Sequence, residues 1–112
     1  MNLLLVDDNA NYIKLLKLSL EGDRFDIDTA QNGYSALVKL KSKCYDWVIS
    51  DINMENLNGI ELSRKIRAEF PDTKIILMTA FETPEIIAEL DIDAFLEKPV
   101  DTEDLIKVIT EN

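Results

Sequence analysis

The sequence contains no histidine and only one cysteine, Cys44. Without imidazole, the chain cannot build a His-containing zinc site, a Ser-His-Asp triad or a histidine general base. A lone cysteine cannot form a disulfide bond within the chain. Any metal or ionic chemistry must therefore rest on carboxylates, hydroxyls and amines, which disfavours transition metals.

Positive charge and long apolar runs are also scarce. Lys and Arg total 12 against 22 Asp and Glu, giving a net charge of −10. This balance disfavours contact with nucleic acid or anionic membrane through bulk electrostatics. The N-terminal apolar run, residues 3–6, is too short to span a membrane and lacks a basic leader. We expect a soluble, cytoplasmic protein that neither binds nucleic acid directly nor inserts into a membrane.

Short apolar runs alternate with helical patterns along the 112 residues, which suit one domain spanning 1–112. Apolar runs or period-two alternation predict strands at 3–6, 25–29, 47–49, 74–78 and 94–97. Apolar spacings of three and four predict helices at about 9–21, after the Asn32-Gly33 turn, around 60–66, at 84–90 with Thr83 as N-cap, and at 102–109. This alternation indicates an α/β fold with a parallel sheet covered by helices on both faces.

Polar residues follow four of the predicted strands, and the carboxyl ends of parallel strands form the ligand-binding edge of such sheets. The residues are Asp7-Asp8, Asp51, Thr79 and Lys98. Each has an ordinary structural explanation, such as a helix cap, a turn, a strand-ending hydroxyl or a solvated lysine. Folding alone does not require all of them at one edge, so together they predict a site.

The charges of this set point to a particular chemistry. Asp7, Asp8 and Asp51 carry −3 and Lys98 carries +1, so one dication would neutralise the group. Hard oxygen ligands favour Mg²⁺. An ionised Asp51 can attack a phosphoryl group without a general base, while Lys98 and Thr79 compensate the charge on the phosphoryl oxygens.

The same residues make the chain resemble the receiver (CheY-like) domain of two-component signalling over essentially its whole length. The matching motifs are Asp7-Asp8, Asp51-Ile52-Asn53-Met54 with Gly59 eight positions after the aspartate, Thr79-Ala80, Phe95 and Lys98-Pro99. The resemblance implies a flavodoxin-like, doubly wound, five-stranded parallel sheet in the order 2-1-3-4-5 with five helices. Only about a dozen residues separate Ala80 from Ala94, so we expect helix four to be short.

The resemblance also assigns roles around the metal. Asp51 would be the phosphoacceptor. Asp8, Asp51 and the backbone carbonyl of Asn53 would bind Mg²⁺ directly, and Asp7 would act mainly through water.

Further roles concern the phosphoryl group and the switch. Lys98 and Thr79 would contact the phosphoryl group and share the catalytic role with Asp51. The backbone N–H groups of Asn53 and Ala80 would be further donors. Thr79 and Phe95 would move on activation, and the Lys98–Pro99 peptide bond is expected to be cis.

These roles describe a switch that is not an enzyme, since it catalyses only its own phosphorylation and dephosphorylation. A sensor histidine kinase, a phosphotransfer protein or a small donor such as acetyl phosphate would supply the phosphoryl group. A separate downstream protein would read the changed surface.

Two departures from the family pattern stand out. Glu55 follows Met54 where the family often has proline, so we expect a less rigid loop. Phe81, two positions after Thr79, either slows the approach of water to the acyl phosphate or is simply a loop aromatic.

Two other functions stay open on the sequence. A receiver-like module could bind a partner without phosphorylation. A small-molecule phosphatase with an aspartyl intermediate usually needs an acidic residue two positions after the nucleophile, where this chain has Asn53.

Overall fold

The computed structural model describes residues 1–22, 25–81 and 84–111. Five strands form one parallel sheet in the order β2-β1-β3-β4-β5, which confirms the predicted order. The elements, in chain order, are β1 (Asn2–Val6), α1 (Ala10–Leu20), β2 (Asp26–Ala30), α2 (Gly33–Ser42), β3 (Trp47–Asp51), α3 (Gly59–Glu69), β4 (Lys74–Thr79), a 3₁₀ helix (Glu85–Glu89), β5 (Ala94–Glu97) and α4 (Thr102–Glu111). In the described ranges, no helix has the length and apolar character needed to cross a membrane.

The sheet divides the apolar core into two clusters, one on each face. Alternate residues of β1 point to opposite faces, so Leu4 joins the cluster under α2 and α3 while Leu5 joins the cluster under α1 and α4. Both leucines are fully buried. The central strands β1, β3 and β4 therefore each contain an unbroken apolar run, as predicted, whereas the edge strand β2 is only partly buried.

Three asparagines begin helices where the chain leaves the carboxyl edge of the sheet. The side chain of Asn9 accepts a hydrogen bond from the Tyr12 N–H, and Asn32 and Asn58 cap α2 and α3 in the same way. At α3 the Glu61 side chain also accepts a hydrogen bond from the Asn58 N–H, which completes a capping box. These caps stabilise helix starts that lie beside the strand ends.

The prediction of five helices is wrong. The described residues contain four α-helices, and the predicted fourth helix is a 3₁₀ helix at Glu85–Glu89. None of its residues is fully buried, and the partial packing of Ile87 against the cluster under α2 and α3 is a small apolar contact for stabilising an α-helix there. A 3₁₀ helix also rises about 2.0 Å per residue against about 1.5 Å in an α-helix, which suits a short connection. The predicted cap, Thr83, lies outside the described residues.

Arg67 of α3 holds the far end of this connection. Its guanidinium donates to the Asp91 carbonyl at 3.0 Å, the Asp93 carboxylate at 3.2 Å and the Thr73 carbonyl at 3.3 Å. Asp93 also accepts the Ile75 N–H at 2.7 Å. The residues before β5 are thus fixed to both α3 and β4.

Candidate functional site

Four strands end at one edge of the sheet and bring the predicted site residues together. In the strand register, Val6 lies beside Ser50, and Asp51 lies beside Met78. The Lys98 N–H donates to the Thr79 carbonyl at 2.8 Å, just beyond the paired ends of β4 and β5. Side chains that are far apart in sequence therefore meet at a single edge.

Three carboxylates converge at the end of β1 and β3. Asp7, Asp8 and Asp51 each offer an oxygen within 4.8 Å of the others. Asp7 and Asp51 are buried, whereas Asp8 is exposed. Burial, followed by the charge of Asp7, raises the pKa of Asp51 against the opposing effect of Lys98. The set of hard oxygen donors, open to water at Asp8, fits Mg²⁺.

Lys98 bridges two of these carboxylates. Its Nζ lies 2.5 Å from Asp7 Oδ2 and 3.3 Å from Asp51 Oδ2. Burial favours a lower pKa for the ammonium, but the hydrogen bond and charge of Asp7, then those of Asp51, raise the pKa of Lys98 overall. The lysine is therefore a fixed positive charge against the acidic group. The Lys98–Pro99 peptide bond is cis, as the resemblance implied.

Asp7 is held more tightly than Asp51. Besides its bond to Lys98, Asp7 accepts the Asn9 N–H at 2.9 Å. Both contacts of Asp51, with Lys98 and with the Asn53 N–H, are 3.3 Å long. The oxygens of Asp51 are thus the easier ones to release for a new bond.

The Thr79 hydroxyl is buried and accepts two hydrogen bonds. The Asn53 side-chain amide and the Phe81 N–H both donate to Thr79 Oγ1, each at 3.1 Å. A hydroxyl has two lone pairs and one proton, so the proton of Thr79 is left to donate. Sequence reasoning assigned only the backbone of Asn53 and missed its side chain, because an amide in a loop carries no spacing signal.

The loop after Asp51 is anchored by apolar side chains. Met54 and Leu57 are buried although Glu55 replaces the usual proline and is exposed. A Cβ at Gly59 would lie 2.8 Å from Ile52 Cα and closest of all to the Asp51 carbonyl oxygen. Glycine is needed here because the start of α3 touches the end of β3.

The remaining predicted residues lie around this centre. Phe95 is partly buried and packs against the cluster under α2 and α3. Ala80 is exposed beside Thr79, and Phe81 is 72% exposed. A second contact was not predicted: the centroid of the Tyr12 ring lies 4.4 Å from Lys98 Nζ.

A doubly wound sheet with an acidic pocket and a lysine at its carboxyl edge defines a signalling domain of the receiver type, and comparison with known proteins agrees. The family model of the response regulator receiver domain matches residues 3–110. This chain belongs to that family.

Two curated relatives are the response regulators ArlR of Staphylococcus epidermidis and Staphylococcus aureus. The first is 35% identical over 107 residues, covering 94% of this chain and 49% of the relative. The second is 36% identical over 107 residues, covering 93% and 48%. The chain thus spans about half the length of these relatives.

Solved structures of similar proteins share the whole fold. The response regulator TrrA of Thermotoga maritima, in complex with Mg²⁺ and BeF, has a TM-score of 0.87 and 36% identity, covering 98% of this chain and 96% of that one. A CheY-like receiver domain from Methanospirillum hungatei has a TM-score of 0.91 and 26% identity, covering 98% and 90%.

Proposed function

We propose that this chain is a phosphorylation-dependent switch of a two-component system, with Asp51 as the phosphoacceptor. The observation that carries the proposal is the convergence of Asp7, Asp8 and Asp51 within 4.8 Å, with Lys98 bridging two of them. Like charges this close together, two of them buried, are unfavourable unless a cation or a proton joins them. The same arrangement is suited to accepting a phosphoryl group.

Asp8, Asp51 and the Asn53 carbonyl would hold Mg²⁺, with Asp7 acting mainly through water. Bound there, Mg²⁺ would offset negative charge on the phosphoryl oxygens. The carboxylate donor set supports this assignment, as does the Mg²⁺–BeF complex of the similar protein TrrA.

In the transfer step, an Asp51 oxygen attacks phosphorus, and the bond from phosphorus to the donor breaks. The electron pair of that bond leaves with the donor group. Lys98 Nζ, only 3.3 Å from Asp51, transfers its contact to a phosphoryl oxygen. The donor is a phosphohistidine on a sensor kinase or phosphotransfer protein, or a small phosphodonor such as acetyl phosphate.

The new phosphoryl group then requires hydrogen-bond donors. Thr79 supplies its O–H proton, and the backbone N–H groups of Asn53 and Ala80 supply others. Because Thr79 Oγ1 is tied to the Asn53 amide and the Phe81 N–H, its movement disturbs both neighbours. Phe95, one strand away, turns inward as the second part of the switch. A separate protein reads the changed surface, and water later hydrolyses the acyl phosphate.

Intact mass spectrometry tests this proposal directly. The protein is incubated with Mg²⁺ and acetyl phosphate beside Asp51→Asn and the control Asp72→Asn, an exposed aspartate elsewhere. We expect one phosphoryl adduct on the wild type and the control. Asp51→Asn and chelator-treated samples should carry none.

Other results would overturn the proposal. If the wild type carries no phosphoryl adduct after incubation with acetyl phosphate or with phosphohistidine donors, the result would favour a module that binds its partner without phosphorylation. Continuous phosphate release from varied small substrates would favour a phosphatase.

A further inference from the structure

We propose that Tyr12 is a positioning residue for Lys98, keeping its ammonium at the site while its hydrogen bonds change during phosphorylation. The inference rests on the proposed function, because it assigns Tyr12 a part in the reaction of Asp51. Two separate contacts carry it. The ring lies 4.4 Å from Lys98 Nζ, and the phenol oxygen accepts the Val100 N–H at 3.0 Å.

Tyr12 holds both the head group and the backbone of the lysine segment. Lys98 lies just after β5, in the connection to α4, and Val100 lies two residues further on. The ring contacts the cation and the hydroxyl contacts the backbone, so one side chain of α1 fixes this connection at two points. An aliphatic side chain at this position could make neither contact.

The backbone of Tyr12 is tied to the same site. Its N–H donates to the Asn9 side chain at 3.1 Å, and the Asn9 N–H donates to Asp7 at 2.9 Å. Asp7 in turn accepts from Lys98. The contacts therefore form a closed circuit from Asp7 through Asn9 and Tyr12 to Lys98 and back.

The type of contact suits a lysine that must exchange partners. A hydrogen bond to Asp51 is directional and must break when Lys98 turns to a phosphoryl oxygen. The attraction between a cation and an aromatic face tolerates small movements, and it strengthens when the cation is shielded from water. The Lys98 side chain is only 12% exposed. Tyr12 can thus hold the ammonium throughout the exchange.

Packing alone would also place an apolar side chain here, since Tyr12 lies against the cluster under α1 and α4. Two variants separate packing from positioning. Tyr12→Leu keeps an apolar contact but removes the ring and the hydroxyl. Tyr12→Phe keeps the ring and removes only the hydroxyl. Tyr34→Leu is the matched control, because Tyr34 lies in the first turn of α2 and is 57% exposed.

The first measurement is the rate of Asp51 phosphorylation by acetyl phosphate at saturating Mg²⁺. We expect Tyr12→Leu to slow it about three- to tenfold and Tyr12→Phe by less than about threefold. Tyr34→Leu should match the wild type. In a Lys98→Met background, Tyr12→Leu should cause no further slowing, because the residue that it positions is gone.

The second measurement is NMR of the Lys98 side chain, which a packing role alone would not affect. The ring should shift the ε-methylene protons upfield in the wild type and in Tyr12→Phe, and the shift should vanish in Tyr12→Leu. Thermal unfolding of each variant shows that it is folded at the assay temperature.

The outcomes distinguish this inference from the proposed function. A wild type that accepts no phosphoryl group from any donor overturns both. If the wild type is phosphorylated, two results overturn the Tyr12 inference alone. One is that Tyr12→Leu is phosphorylated as fast as the wild type. The other is that Tyr12→Leu slows the Lys98→Met variant by the same factor by which it slows the wild type. An absent upfield shift in the wild type overturns it as well.

Discussion

Replacing Gly59 by alanine sets two known effects against each other. Alanine is favoured over glycine in a helix by up to about 1 kcal/mol, so propensity alone predicts a more stable protein. The structure predicts the opposite. An added Cβ would lie 2.8 Å from Ile52 Cα and 2.9 Å from the Asp51 carbonyl carbon, with the Asp51 carbonyl oxygen closest of all.

All three obstructing atoms belong to the backbone, so no flexible side chain can move aside. Forcing an extra carbon into a packed site costs about 1–3 kcal/mol. With three backbone atoms this close, the cost lies at the upper end of that range, about 2–3 kcal/mol. After the gain in propensity of up to about 1 kcal/mol is subtracted, we expect Gly59→Ala to lower the free energy of unfolding by about 1–2 kcal/mol. For a domain of this size, that lowers Tm by roughly 4–8 °C.

Thermal unfolding followed by circular dichroism measures the change in Tm. Asn11→Ala is the control, because it places alanine in the first turn of α1 at an exposed position. Its Tm should stay the same or rise slightly. Because the clash displaces Asp51 itself, phosphorylation of Gly59→Ala should slow even at temperatures where it is fully folded. A variant as stable as the wild type would refute the reasoning.

Three further substitutions test other contacts. The Tyr45 O–H donates to Asp28 at 2.6 Å, and this bond is the main cause of the lowered pKa of Asp28. A lowered carboxyl pKa stabilises the fold at pH values above the unfolded pKa, so this contribution should disappear as the pH falls below about 4. Tyr45→Phe should lower the free energy of unfolding by about 1 kcal/mol at pH 7, and its stability in urea denaturation should depend less on acid pH. Arg67→Met should lower the free energy of unfolding by about 1 kcal/mol, because the part-buried Thr73 carbonyl and the Asp93 carboxylate each lose a donor, and hydrogen exchange should rise in the residues before β5. Phe81→Ala should shorten the half-life of the phosphorylated form if the ring slows the approach of water, whereas an unchanged half-life would make Phe81 an ordinary loop aromatic.

The sheet was predictable because its signals are local. A central strand such as β1 is buried on both faces, so it appears in the sequence as an unbroken apolar run. The convergence of Asp7, Asp51 and Lys98 then followed from strand direction alone. The 3₁₀ conformation of the fourth helix was not predictable in this way, because its apolar spacing fits an α-helix but the tertiary structure buries its apolar side chains only in part.

The missed contacts are those that no spacing rule encodes. Tyr12 and Lys98 are far apart in sequence and meet only because α1 packs beside the connection from β5 to α4. The Asn53 amide, in the loop after β3, donates to Thr79 at the end of the neighbouring strand β4, and this contact depends on the conformation of the loop. Such contacts depend on the packing of elements relative to one another.

The sheet also separates the consequences of one event at Asp51. Phe95 packs on the side of α2 and α3, and Thr79 lies on that side by alternation with Met78. Tyr12, which contacts Lys98, and Val100 pack on the side of α1 and α4. A phosphoryl group on Asp51 would therefore change side-chain contacts on both faces of the sheet, through different residues on each face. Two proteins that touch opposite faces could each sense that group without competing for one surface.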